Sequence, residues 1–269
     1  MRLLPVATFL IAFSAGAMCA SGQEQVRVEG WRAAEAPSAS PGQSAINQAA
    51  AARKYALVFF WKEENRQTDE AWNSLQAAAS RFPESASIVS VRATDPAEYS
   101  VVARLGVDRA PMPMVMAIAP CGAITKAFTG TVDENQLRGA FVSPCTELCL
   151  KAIQDRKLVF VCVNSGRSGA RATVPRGVAE FRADPRYRQA TEIVLLEAHD
   201  PKEASFLEQL QVDSRTAVPV TVFLAPPGAV IGKFGAQATK EQFIATLASA
   251  QSNSCAGGKC GPNGCGPKQ

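Results

Sequence analysis

The chain carries one pattern twice, and that repetition constrains its fold more than any single motif does. Ile88-Val89, Asp95-Pro96, Leu105 and Val107-Asp108 recur as Ile193-Val194, Asp200-Pro201, Leu210 and Val212-Asp213, all at an offset of 105. After one inserted residue the offset becomes 106. Pro113, the turn Pro120-Cys121-Gly122-Ala123, Phe128 and Gln136 then recur as Pro219, Pro226-Pro227-Gly228-Ala229, Phe234 and Gln242. Upstream, Arg53-Lys54 leads into an apolar run, as Arg156-Lys157 leads into Leu158 to Val163. The sequence reads as a duplicated domain.

Each copy alternates strand and helix. In the first, a helix capped by Ser44 runs through Lys54, and Tyr55-Ala56-Leu57-Val58-Phe59-Phe60-Trp61 is a continuous apolar run of strand length, as a strand covered on both faces requires. Helices are expected over Asp69 to Arg81 and Pro175 to Ala183, and strands over Ile88 to Arg92 and Glu192 to Glu197. At each Asp-Pro step the Asp can cap a new helix and the Pro sits where its missing N–H is not needed. A strand pair around a Pro-Gly turn and a last helix follow. The expected class is α/β, two domains, each a mixed central sheet flanked by helices.

A chain of 269 residues, 47% hydrophobic, is long enough for two such cores of about a hundred residues each. The net charge is +4 with both signs interspersed, so nothing marks a nucleic-acid surface. His199 is the single histidine, which removes most His-based metal and catalytic arrangements. Met1-Arg2, the apolar stretch Leu3 to Phe13 and the small residues after it read as a secretory signal over 1–22, cleaved after Gly22. Met18 before Cys19, with no Leu three residues upstream of it, is a poor lipidation pattern. Export to the periplasm or the extracellular space, with no membrane span after cleavage, is the expectation. Residues 23–43, rich in Ala, Ser, Pro, Gly and Glu, read as a flexible linker. The expected domains are then 44–143 and 144–250, followed by a Cys/Gly-rich flexible tail over 251–269.

These features resemble the thioredoxin family. The strand Leu57-Val58-Phe59-Phe60-Trp61 is similar to the apolar strand ending in Trp that leads to a thioredoxin active site. Pro113 in Ala110-Pro111-Met112-Pro113 and Pro219 in Ala217-Val218-Pro219 fall where the family carries its cis-proline before the hairpin. The resemblance implies two thioredoxin-like domains, over about 45–145 and 146–250. It also places the family's redox cysteines at Asn65 and Thr68, in Asn65-Arg66-Gln67-Thr68, and within Asn164-Ser165-Gly166-Arg167-Ser168-Gly169 of the second copy. No cysteine stands in either loop. Dithiol exchange needs a thiolate at a helix N-terminus, so these loops are degenerate, and their Asn, Ser and Thr are good helix caps. The resemblance further implies that the backbone at Met112-Pro113 and Val218-Pro219 can pair with an extended peptide. Both prolines also serve simply to shape the turn into the hairpin.

Thiols elsewhere keep other functions open. Beyond the signal lie seven cysteines, an odd number that leaves at least one without an intramolecular partner. Ser143 as cap and Pro144 at the first helical position put Cys145 in a first turn, where a thiol pKa is lowered, with Cys149 one turn later. Cys162, inside an apolar strand, reads as core, and Cys121 as an exposed turn tip. The tail spaces Cys255, Cys260 and Cys265 evenly among Gly, Pro and Asn, a set of soft ligands for Cu(I) or Zn²⁺ or a set of disulfide partners. The leading expectation is an exported, non-catalytic binder of a peptide or protein partner, with no cofactor. The alternatives are a thiol-disulfide oxidoreductase with relocated cysteines and a Cu or Zn handling protein using the tail.

Overall fold

The computed structural model describes residues 40–164, 173–216 and 218–256, the last four of these by backbone alone. Its first half runs α1 (Pro41–Ala51), β1 (Tyr55–Trp61), α2 (Arg66–Ala79), β2 (Ala86–Arg92), a 3-10 turn at Pro96–Glu98, α3 (Tyr99–Leu105), β3 (Met114–Ile118), β4 (Ile124–Thr129) and α4 (Glu134–Arg138). The second half repeats the order with α5 (Pro144–Gln154), β5 (Leu158–Asn164), α6 (Arg176–Ala183), β6 (Thr191–Glu197), α7 (Ala204–Gln209), β7 (Val220–Ala225), β8 (Ala229–Gly235) and α8 (Lys240–Ala256).

The two sheets have the same topology, β2-β1-β3-β4 and β6-β5-β7-β8. In each, the first two strands are parallel and the third and fourth are antiparallel to their neighbours. The registers coincide: Tyr55 faces Ala86 as Leu158 faces Thr191, and Trp61 faces Arg92 as Asn164 faces Glu197. A βαβ unit followed by a hairpin and a helix is the arrangement that the family resemblance implies.

The central strands are buried on both faces because each bears two cores. Leu57 and Phe59 pack with Leu75 of α2 and Leu137 of α4, while Val58 and Phe60 turn to Ile46 of α1 and Val101 of α3. In the second half Val161 packs with Cys149 of α5 and Leu207 of α7, and Phe160 joins Phe181, Phe223 and Phe243 on the opposite face. Phe160 stacks on Phe223 at a centroid distance of 4.1 Å.

The recurring sequence signals are the local devices that start and stop these elements. Asp95 and Asp200 each accept a hydrogen bond from the second backbone N–H beyond them, Ala97 and Lys202, both at 2.9 Å. Gln136 and Gln242 each accept from the residue before their helix, Asp133 N and Thr239 N, both at 2.9 Å. Arg53 and Arg156 end α1 and α5 in the left-handed region at φ 57° and 61°, so that the next residue, Lys54 or Lys157, bonds back to Ala49 or Ala152.

Two expected boundaries shift. The first helix begins at Pro41, capped by Ser40 rather than Ser44, so residues 41–43 belong to α1 and not to a linker. The last helix reaches Ala256, past the expected start of the tail at 251. The signal segment 1–22, most of the linker, and Cys260 and Cys265 lie outside the described residues. Cys255 lies within α8, its side chain outside them.

Candidate functional site

The site that the fold builds lies where β1 ends and β3 begins, beside the start of α2. Phe60 pairs with Met114, so Pro113 lies one step beyond that pair, toward Trp61. The Met112–Pro113 bond is cis. Pro113 C=O accepts from Gly130 N at 3.0 Å, which ties it to the end of β4, whereas the backbone N–H and C=O of Met112 make no hydrogen bond to any described residue. The Met112 side chain packs on the core below. A backbone pair left open at a sheet end is what an added strand requires.

The loop opposite is bound into a helix cap. Asn65 accepts from Thr68 N at 2.9 Å, and Thr68, nearly buried, donates its hydroxyl to Glu63 C=O at 2.9 Å. Arg66 pairs with Glu70 at 2.7 Å, and Gln67 is exposed. Of the residues at the two expected cysteine positions, Asn65 therefore caps α2 and Thr68 ties its first turn to the loop at Glu63.

Between β1, β2 and α2 lies a cavity of about 210 Å³ lined by Phe59, Trp61 and Trp72 together with Glu64, Thr68, Asp69 and Ser90. Trp61 donates its indole N–H to Ser90 Oγ at 3.0 Å, and the Arg92 guanidinium lies 5.2 Å from the Trp61 ring centroid. Sequence reasoning missed Trp72. The signal was its place one helical turn after Thr68, with Trp61 closing the preceding strand.

The second half differs at the corresponding place. Its cis bond is Pro226–Pro227 at the hairpin turn, and Val218–Pro219 is not among the cis bonds. Val218 is 64% exposed, and its C=O accepts from the Thr216 hydroxyl at 2.9 Å. Ser165, Gly166, Arg167 and Ser168 lie outside the described residues, as does Ala217. A cavity of about 260 Å³ stands beside the start of α6, with Cys162 and Pro219 in its wall.

The four cysteines with described side chains form no disulfide. Cys121, Cys145, Cys149 and Cys162 are all free, and among the described residues no group of three or more His, Cys, Asp or Glu side chains is arranged to hold a metal. Cys121 is half-buried and donates to Glu147 C=O at 3.7 Å rather than standing exposed at its turn. Burial raises its pKa.

The expected lowering of the Cys145 pKa is reversed. Burial, followed by the charge and hydrogen bond of Glu203, pushes that thiol up to about 12. Glu203, 3% exposed, occupies the α5 N-terminus, taking hydrogen bonds from Ser143 Oγ and from Cys145 N at 3.1 Å. The helix end that would favour a thiolate is already engaged by a carboxylate. Burial also pushes Cys149 up, and Cys162 up to about 11. Glu203 was legible in the repeat, since Glu98 stands 105 residues earlier and accepts from Gly42 N at 2.8 Å at the α1 N-terminus.

No family model and no curated protein matches the chain. Among solved structures it is similar to the germline-specific thioredoxin Deadhead of Drosophila melanogaster, at 15% identity over 37% of this chain and 90% of that one, TM-score 0.30. It is similar to the NTD_N/C domain of the alkylhydroperoxide reductase AhpF of Enterococcus faecalis, at 14% identity over 76% and 98%, TM-score 0.27. It is also similar to the first two thioredoxin domains of Naumovozyma dairenensis Eps1p, at 10% identity over 74% and 92%, TM-score 0.28. Strand order, direction and register carry the fold: the chain holds two thioredoxin-like folds in tandem.

Proposed function

We propose that this is an exported, non-catalytic thioredoxin-like protein that takes up an extended peptide by strand addition along Met112 of its first half. The observation that carries the reading is the N–H and C=O of Met112, open among the described residues, beside cis Pro113 and opposite a loop in which Asn65 caps α2 and Thr68 donates to Glu63 C=O. In the second half Thr216 holds the Val218 carbonyl, so binding is assigned to the first half alone. Relocated thiol catalysis is disfavoured because burial raises all four described thiols above an ordinary cysteine. A metal role for Cys255, Cys260 and Cys265 stands on their sequence pattern.

Strand addition draws its affinity from main-chain hydrogen bonds. Selection of a random dodecapeptide library on the mature chain should yield binders whose affinity falls about tenfold when the central peptide amides are N-methylated, the loss of one or two such bonds. An unchanged affinity after N-methylation, or a library without binders, refutes the reading.

A further inference from the structure

The cavity under α2 has a chemistry of its own. Its walls are aromatic, and its two acidic residues, Glu64 and Asp69, form no ion pair or side-chain hydrogen bond among the described residues. An aromatic face attracts a cation through its quadrupole, and a nearby carboxylate adds to that attraction. An anion is repelled by the same carboxylates. An uncharged apolar ligand gains nothing from them.

The second half shows that the fold does not need this arrangement. Its register places Cys162 where the first half has Phe59, Asn164 for Trp61, Leu195 for Ser90 and Glu197 for Arg92. The strand order and parallel pairing are kept without either indole. Trp61 and Trp72 are half-buried against the first half's core and wall the cavity there, and the second half contains no tryptophan. The ring of Trp61 already holds one guanidinium, that of Arg92, which does not line the cavity.

We infer that this cavity binds the arginine side chain of a partner protein, its guanidinium against Trp61 and Trp72 and its N–H groups directed to Glu64 and Asp69. Arginine fits better than lysine because a planar guanidinium stacks on an indole while its edge still donates hydrogen bonds. The inference goes beyond strand addition at Met112 and does not require it. The test uses a ligand with no extended backbone, so either can fail alone.

N-acetyl-arginine amide is titrated into the full mature chain while the indole N–H resonances of Trp61 and Trp72, assigned with Trp61→Phe and Trp72→Phe, are followed by NMR. Saturable shifts of both are expected. The neutral isostere N-acetyl-citrulline amide should bind about fivefold more weakly, and Glu64→Gln/Asp69→Asn should weaken arginine binding by a similar factor. Equal binding of the two amides, an unaffected double variant, or no shift of either indole overturns the inference.

Discussion

Replacing Glu203 by Gln tests whether this chain keeps its thiols silent by design of the α5 N-terminus. With a pKa of about 12 against an ordinary 9.0, Cys145 at pH 7 holds about a thousandfold less thiolate than an unperturbed cysteine. Intrinsic nucleophilicity rises with pKa with a Brønsted slope of about 0.45, which returns a factor of about 20 over three units. The net expectation is a reaction with the neutral disulfide dithiodipyridine about 50-fold slower than that of a free cysteine peptide. Site-resolved rates come from mass spectrometry of digests quenched over time. Burial remains in Glu203→Gln, but the charge and the charged hydrogen bond are gone, so Cys145 should react faster than in the parent chain. The cost in stability is about 1–3 kcal/mol, because Ser143 Oγ and Cys145 N lose an ionised acceptor. Rates must therefore be taken well below the thermal midpoint. Reaction of the parent Cys145 as fast as the free peptide, or no change in Glu203→Gln, refutes the reasoning and revives thiol chemistry at the domain junction.

Two further expectations concern packing and charge. An added Cβ at Gly177 would lie 2.1 Å from Ala238 C=O, so α6 fits against the segment before α8 only without a side chain there. Gly177→Ala should lower the thermal midpoint, since overpacking of about 1–3 kcal/mol exceeds the gain of about 1 kcal/mol in helix propensity. Gly139→Ala, whose nearest atom is 3.5 Å away, should not, and equal midpoints for the two variants would refute the packing argument. Glu147 receives a hydrogen bond from Tyr55 at 2.5 Å, yet burial raises its pKa above the ordinary carboxylate value. The folded chain then keeps a proton that the unfolded chain releases, so this group's contribution is fully present below its unfolded pKa and lost as pH rises through the folded one. The stability difference between the parent and Glu147→Gln, read from urea midpoints at pH 4 and pH 7, should shrink at the higher pH. A difference that is constant or grows refutes it.

What was legible in the sequence was local. Asp95, Asp200, Gln136 and Gln242 act within three residues of themselves, and their recurrence gave the order of elements and the duplication. What escaped depended on residues far along the chain. Residues 41–43 read as linker because they continue an Ala-, Ser-, Pro-, Gly- and Glu-rich segment with little apolar surface to bury, but Ser40 caps the helix and Pro41 suits its first position. At Gly42 a Cβ would lie 2.7 Å from both Glu98 Oε2 and Val91 Cγ2, so the glycine answers a tertiary contact 56 residues away. Cys145 occupies the matching place in α5, and a rule built on the helix end alone gave the wrong sign for its pKa because burial raises it first and Glu203, arriving from 58 residues away, raises it further.

The two copies share how they fold and differ in what they leave open. Both place a Glu at the N-terminus of the first helix, both end that helix on a left-handed Arg, and both pair their strands in one register. In α5 the helix does a second task. One side buries Cys149 and Ala152 in the second core, while Gln154 bonds both the N–H and the C=O of Ile124 in the first half, as a neighbouring strand would. Glu147 meets Tyr55 at the start of β1. Ile124 pairs with Ile118, at the end of β3 away from Met114. The second half thus grips the first at one end of its sheet, and Met112 lies beyond the opposite end of β3. An added strand at Met112, as proposed, would lie at the end of β3 away from that junction.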